Sequence, residues 1–282
     1  MRITTLITPS QLAKHLGDPD WAIVDCRFSL ADTEWGQRDY LQAHIPGAVY
    51  AHLNDDLSAE VIPGVTGRHP LPSVEAAAKT FGEWGIGAGV QVVTYDDAGG
   101  ALAAVRLWWM LRWLGHTAAA VLDGGFQRWM SAGYPLKEGG ERRPRRKFVP
   151  KPRPELVATT AEVNRMRELP DYLVVDARTA ERYRGENETI DPVAGHIPGA
   201  VSAPYVDNLT PEGVFRSKEE LRTCYRALFG NIPAERSAFY CGSGVTSIHD
   251  ILAIVHAGMG EPRLYVGSWS EWITDRERPV AR

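Results

Sequence analysis

The chain has 282 residues, about two domains at roughly 150 residues each. Hydrophobic residues make up 44% and charged residues 23%, a globular balance that excludes collagen-like, coiled-coil and disordered chains. A formal charge of −4 is too mild for an obligate nucleic-acid or membrane-surface binder.

The opening stretch, MRITTLITPSQL, carries no apolar core or small-residue cleavage site, so no secretory signal is read there. The short β-branched run Ala22–Val24 ends in Asp25 and predicts a buried strand. His44-Ile-Pro-Gly is a turn, Pro fixing φ and Gly permitting positive φ, and another short apolar run follows it. The strand predicted over Val90–Tyr95 leads to residues of helical period, Leu102, Val105 and Trp109, with Gly115 as the stop. The longest aliphatic runs, Ala118–Leu122 and Ile251–Val255, hold five residues each, far below the ~18 needed to cross a bilayer. Next comes a basic stretch from Pro135 to Pro154, with Arg142, Arg143, Arg145, Arg146, Lys147, Lys151 and Arg153 spaced by prolines. Its only aromatic between those prolines is Phe148, so it reads as an extended, solvated linker rather than a polyanion site.

Beyond the linker the chain repeats itself. AIVDCR (Ala22–Arg27) is echoed by LVVDAR (Leu173–Arg178), and AHIPGAV (Ala43–Val49) by GHIPGAV (Gly195–Val201). VVTYD (Val92–Asp96) aligns with SAFYC (Ser237–Cys241), and LDGGFQRW (Leu122–Trp129) with YVGSWSEW (Tyr265–Trp272). Four segments in one order, at offsets between 143 and 152 residues, mark a tandem duplication. In the second copy Ile248, Ile251, Leu252 and Val255 repeat the helical period and Gly258 the stop. Strands alternating with helices predict an α/β fold in each copy, a mostly parallel sheet flanked by helices. The predicted boundaries are 1–138 for the first domain, 139–156 for the linker and 157–282 for the second domain.

Duplication supplies an internal control: residues shared by both copies serve the fold, and those present in one are candidates for chemistry. Asp25/Arg27 and Asp176/Arg178 are expected to be ion pairs at strand ends, and His44 and His196 to be imidazoles bonded to backbone. The main asymmetry begins at the end of the third matched segment. The first copy reads Asp96-Asp97-Ala98-Gly99-Gly100, and the second Cys241-Gly242-Ser243-Gly244-Val245-Thr246-Ser247. A Cys at a strand-to-helix turn followed by Gly-x-Gly lets successive N–H groups converge on the sulfur, with a helix dipole behind, and both favour thiolate. Cys241 is therefore the expected nucleophile, whereas Cys26 and Cys224 read as small buried hydrophobes. Three cysteines cannot make a disulfide framework and fit a reducing, cytoplasmic setting. No CxxC or HExxH spacing appears, so neither a metal nor another cofactor is expected.

The tandem copies, the HIPGA turns, the CGSGVT loop and the GSWSEW tail together resemble the two-domain rhodanese-like sulfurtransferases. The loop is similar to that of 3-mercaptopyruvate sulfurtransferases in particular; thiosulfate-preferring enzymes carry Arg and Lys where Gly242 and Ser243 stand. The resemblance implies an inert first domain and a catalytic second one, with substrate in the cleft between them. It implies that Cys241 takes sulfur from a small anionic donor as a persulfide, and that cyanide, a small thiol or a thioredoxin-like protein removes it. The loop residues Gly242, Gly244, Val245 and Thr246 would cradle the charge, and Ser243 would assist proton transfer. Arg182 matches a family arginine that binds the donor's anionic end; its counterpart in the first copy is Ala31. A second family arginine falls on Asp191 here, and Arg184 is the candidate to replace it. His69 matches a family histidine that works with Ser243, while the accompanying family aspartate falls on Asn54, beside Asp55 and Asp56. Three alternatives to a mercaptopyruvate donor reading stand: a thiosulfate sulfurtransferase, a non-enzymatic binding or sensing module, and a Cys-x5-Arg phosphatase or arsenate reductase. The last would need Arg where Ser247 stands.

Overall fold

Continuous apolar runs with no polar alternation must be buried on both faces, and the chain solves this twice with a parallel sheet between helices. A computed structural model describes residues 2–282, whose contacts divide them into two units. Unit 1 comprises the chain through Ala59, Pro72–Arg153 and Pro211–Val214; unit 2 comprises Glu60–Leu71, Pro154–Thr210 and Phe215–Arg282.

Unit 1 runs β1 (Leu6–Ile7), α1 (Pro9–Leu12), β2 (Trp21–Asp25), α2 (Trp35–Gln42), β3 (Ala48–Tyr50), α3 (Val74–Glu83), β4 (Gln91–Tyr95), α4 (Ala103–Trp113), β5 (Ala119–Leu122) and α5 (Gly125–Ser131). Its strands pair in the order β1-β5-β4-β2-β3, all parallel. Every residue of β4 and β5 is buried, and so is every residue of α4, a helix apolar on nearly all sides. Ile23, Val93, Tyr95, Ala120 and Trp129 lie together in its core.

Unit 2 repeats the plan: β6 (Val157–Ala158), α6 (Thr160–Met166), β7 (Leu173–Asp176), α7 (Ala180–Arg184), β8 (Val201–Ser202), α8 (Lys218–Phe229), β9 (Ser237–Tyr240), α9 (Ser247–His256), β10 (Arg263–Tyr265) and α10 (Ser268–Trp272). Its strand order, β6-β10-β9-β7-β8, is the same arrangement. Even the first helix of each unit starts alike, with a reciprocal cap between Thr8 and Gln11 in one and between Thr159 and Glu162 in the other. The expected stops hold: Gly115 and Gly258 follow their helices at φ +82° and +73°.

The shared motifs are structural, as expected. Arg27 donates to both oxygens of Asp25 and to the Ala43 carbonyl, and Arg178 does the same with Asp176 and the Gly195 carbonyl. Burial works against the Arg178 charge, yet Asp176 and Glu188 raise its pKa above the ordinary value. The Nδ1 atoms of His44 and His196 lie 2.7 and 2.8 Å from the carbonyls of Tyr40 and Tyr183, and each ring stacks on that tyrosine.

Three features differ from the sequence reading. The basic segment after residue 138 lies along unit 1 as far as Arg153, its backbone bonded to the carbonyls of Gly82, Leu114 and Trp113, with Phe148 buried edge-on against Phe81. Its guanidinium groups meet unit 1's own acceptors, Arg145 on Glu83 and Arg146 on Asp20. Second, Glu60–Leu71, written within the first copy, packs in unit 2. It has no helix or strand to satisfy its backbone, and the Arg68 N–H reaches the Ser270 Oγ at 3.0 Å. Third, Cys224 is exposed, not buried: the buried stripe of α8 is Leu221, Tyr225 and Phe229, and position 224 falls beside it. Cys26 is buried as expected. Among the described residues no helix is long and apolar enough to cross a membrane.

Candidate active site

β9 is the middle strand of unit 2's sheet, and its last residue, Tyr240, pairs with Asp176 of β7. The chain leaves the sheet at Cys241, the carboxyl end of a central parallel strand, where open α/β sheets bind ligands. α10 pins the departure. The Ser268 Oγ accepts the Cys241 N–H at 3.1 Å, while the Cys241 and Gly242 carbonyls accept the N–H groups of Trp269 and Ser270 at 3.0 and 2.9 Å. Ser268 holds φ +54°, the only positive φ among described residues other than glycine, a conformation that strains a residue with a Cβ. Gly244 turns the loop at φ +72°, and a Cβ there would run into the Val266 backbone, 2.9 Å from its carbonyl carbon. Val245 and Thr246 close the loop by accepting the first N–H bonds of α9, from Ile248 and His249.

Cys241 through Val245 are all buried, yet polar groups crowd them. The Ser243 Oγ lies 2.8 Å from the His69 Nδ1, both residues buried within unit 2. Arg182, in the middle of the short α7, donates from Nε and Nη2 to Glu188 and from Nη2 to Asp191 at 2.9 Å. Glu188 is itself fixed by the N–H groups of Ile190 and Asp191, both at 3.0 Å. Burial pulls the Glu188 carboxyl upward, but the hydrogen bonds from Arg182 and those two amides hold it below the ordinary glutamate value. The other oxygen of Asp191 accepts the Arg68 Nη1. Gly242 sits amid these side chains: a Cβ there would lie 2.9 Å from the Arg68 Nη2, 3.6 Å from the Asp191 Oδ2 and 3.7 Å from the Arg182 Nη1.

Unit 1 carries the same turn after β4 with Asp96 at the Cys position. The Asp96 carboxylate accepts four backbone N–H groups, from Ala98, Gly100, Leu102 and Ala104, at 2.7 to 3.3 Å. Full burial nonetheless pushes its pKa up to about 6, against the downward pull of those amides. The strand-to-helix turn of unit 1 thus aims four backbone N–H groups at one side chain, its own Asp96.

The sequence of each copy matches the family description Rhodanese-like domain, over residues 8–132 and 159–275. The chain belongs to the two-domain rhodanese-like sulfurtransferases. A Pseudomonas aeruginosa relative named "Probable 3-mercaptopyruvate sulfurtransferase" is 46% identical over 282 residues, covering 100% of this chain and 99% of that protein. A Mycobacterium tuberculosis relative bearing the provisional name thiosulfate sulfurtransferase SseB is 38% identical, covering 98% of this chain and 96% of that one. The solved structure of 3-mercaptopyruvate sulfurtransferase from Leishmania major superposes with a TM-score of 0.84 at 34% identity, covering 95% of this chain and 74% of that one.

Within this rhodanese-like unit the structure brings Cys241, Gly242, Ser243, Gly244, His69 and Arg182 into one neighbourhood. Arg184 is not among the groups nearest Gly242; it is half-exposed and paired with Glu186 at 2.7 Å. Asp55 and Asp56 both engage His52 in unit 1: the Asp55 carboxylate lies 3.4 Å from its ring, and Asp56 accepts its N–H at 2.8 Å. Two residues were missed by sequence reasoning. Arg68 immediately precedes His69, a residue already singled out, and its neighbour was the available signal. Ser268 replaces the first copy's Gly125, which holds φ +59°, so the repeat alignment itself marked a Ser forced into a glycine's conformation.

Proposed function

We propose that this enzyme moves sulfur from 3-mercaptopyruvate, in preference to thiosulfate, to cyanide, a small thiol or a thioredoxin-like protein through a persulfide on Cys241. In the first half-reaction the Cys241 thiolate attacks the donor's thiol sulfur. An S–S bond forms, the donor's C–S bond breaks with its electron pair going to carbon, and the proton from sulfur ends on that carbon, releasing pyruvate. In the second, the acceptor attacks the outer sulfur and the Cys241 thiolate leaves, so the kinetics are ping-pong. Arg182 would receive the donor's carboxylate, and the loop amides of Gly242, Gly244, Val245 and Thr246 the charge on sulfur.

The observation that carries the donor choice is the 2.8 Å contact between the Ser243 Oγ and the His69 Nδ1. Breaking a C–S bond needs a proton moved from sulfur to carbon, and a hydroxyl–imidazole pair whose serine stands two residues from Cys241 in the same loop would carry it. Sulfite leaves thiosulfate without needing one. Thiosulfate remains the second reading, favoured by the name of the Mycobacterium tuberculosis relative. Three unpaired cysteines support a reducing, cytoplasmic setting.

The test is thiocyanate production from each donor on one preparation. The expected result is a larger kcat/KM with mercaptopyruvate, and a Ser243→Ala variant slowed on mercaptopyruvate by about a hundredfold while its thiosulfate turnover stays near that of the parent. A parent enzyme that prefers thiosulfate, or a Ser243→Ala variant impaired equally on both, overturns the donor assignment.

A further inference from the structure

Two guanidinium groups beside Gly242 keep donors that nothing claims. Arg182 spends Nε and Nη2 on Glu188 and Asp191, and its Nη1 has no hydrogen-bond partner among the described residues. Arg68 spends only Nη1, on Asp191; its Nη2 is unclaimed and its Nε is buried without a partner. These unclaimed terminal nitrogens converge on Gly242, the residue after Cys241. A Cβ there would stand 2.9 Å from the Arg68 Nη2 and 3.7 Å from the Arg182 Nη1, so only glycine lets both guanidinium groups approach the loop this closely.

The arrangement is held ready rather than collapsed. Two like charges brought together repel, and here one carboxylate, Asp191, bridges them with an oxygen for each. Glu188 takes the remaining face of Arg182 and fixes its plane. Arg68 is anchored in the backbone by its N–H bond to the Ser270 Oγ, and the next residue, His69, is bonded to Ser243. Counting Arg68, Arg178 and Arg182 against Asp176, Glu188 and Asp191, the formal charges balance, so the surplus is one of directed N–H donors. Planar N–H forks of this kind match the oxygens of a carboxylate or sulfonate.

We propose that Arg68 is a substrate-binding and specificity-determining residue, forming with Arg182 a two-arginine clamp for the anionic end of the sulfur donor, with Asp191 as the tether that holds both. The clamp rests on the sulfur-transfer reading for its substrate. A three-carbon donor is short, so its carboxylate must be received within about one residue of the attacked sulfur. Both guanidinium groups border Gly242, the residue that follows Cys241.

The experiment measures kcat and KM for mercaptopyruvate and KM for cyanide in the parent, Arg68→Met and Arg68→Lys. Isothermal calorimetry of the same proteins with pyruvate reads the clamp without any sulfur chemistry. Arg68→Met is expected to raise the donor KM and the pyruvate Kd by about tenfold or more, with kcat and the cyanide KM little changed. Arg68→Lys should recover part of the loss, since it restores charge without the fork; its folding, followed by circular dichroism, covers the case in which the Met variant fails to fold. A donor KM and pyruvate Kd at parent values in a folded Arg68→Met or Arg68→Lys protein overturn the clamp, as does a loss confined to kcat. A parent enzyme that transfers no sulfur from either donor defeats the sulfur-transfer reading instead; the clamp then stands or falls on whether pyruvate binds the parent more tightly than the Arg68 variants.

Discussion

The turns after β4 and β9 are the same piece of architecture put to two uses. In each, the residue leaving the strand has its carbonyl bound by the second residue of the short helix α5 or α10, Phe126 on Asp96 at 2.8 Å and Trp269 on Cys241 at 3.0 Å. In each, the residue after the strand's neighbour bonds back at 2.8 Å, Cys26 to Tyr95 and Ala177 to Tyr240. Gly99 and Gly244 turn the two loops at φ +66° and +72°. The difference lies in what fills the frame. Asp96 satisfies four amides with its own carboxylate. In unit 2 the position carries a thiol; the next residue, Gly242, lies against Arg68 and Arg182, and Ser243 is bonded to His69. At the matching positions unit 1 has Ala98 for Ser243 and Ala31 for Arg182. Backbone geometry is shared; the side chains around it make the site.

Exchanging the two filling residues tests that lesson most severely. Cys241→Ser should reduce thiocyanate formation by at least about a thousandfold, as expected when a nucleophile is removed. Adding Asp96→Cys to that variant should restore nothing, because unit 1 has the turn but not the neighbours. Recovered turnover would show that the frame alone suffices. A smaller effect is expected at the anion contact: Arg182→Met should raise the donor KM by about tenfold, the worth of a charge-assisted hydrogen bond, without altering the KM for cyanide.

Ser268 offers a finer comparison, since Gly125 occupies its place in unit 1. Ser268→Ala and Ser268→Gly both remove the acceptor of the Cys241 N–H and should lower kcat several-fold by loosening the nucleophile's backbone. The Gly variant should nevertheless be the more stable of the two in urea unfolding, by about 1 kcal/mol, because it also relieves the left-handed strain. Equal stabilities would mean that the serine is not strained. The mildest effect is on pH dependence. Asp96 has a folded pKa of about 6, above its ordinary value of 3.8. The folded state therefore binds the proton more tightly, so this contribution to stability is complete below about pH 4 and is lost as pH rises through about 6. Carboxyl NMR of Asp96 should report a midpoint near 6; a midpoint at or below the ordinary value contradicts the burial argument.

Much of this was legible in the sequence because duplication writes the fold twice. The shared Asp-x-Arg and HIPGA segments identified structural residues, and the contrast of Cys241 with Asp96 gave the candidate nucleophile. Ser243, His69 and Arg182 were also within reach, since the resemblance rests on local motifs. The pairing of Arg68 with Asp191 was not: they are 123 residues apart, and only the packing of Glu60–Leu71 within unit 2 brings them together. The basic run after residue 138 misled in a similar way, because its partners Asp20 and Glu83 are distant in the chain and meet it only in the fold. Cys224 turned outward because helix phase, not cysteine's usual preference, decides which face is covered.

The proposed transfer requires Cys241 to carry a sulfur atom between donor and acceptor. The direct measurement is intact and peptide mass spectrometry of the protein after exposure to mercaptopyruvate or thiosulfate with no acceptor present. The predicted result is one added sulfur atom on the Cys241 peptide, absent from Cys241→Ser and removed by cyanide. An unmodified Cys241 with both donors, or the added sulfur on exposed Cys224 instead, contradicts it.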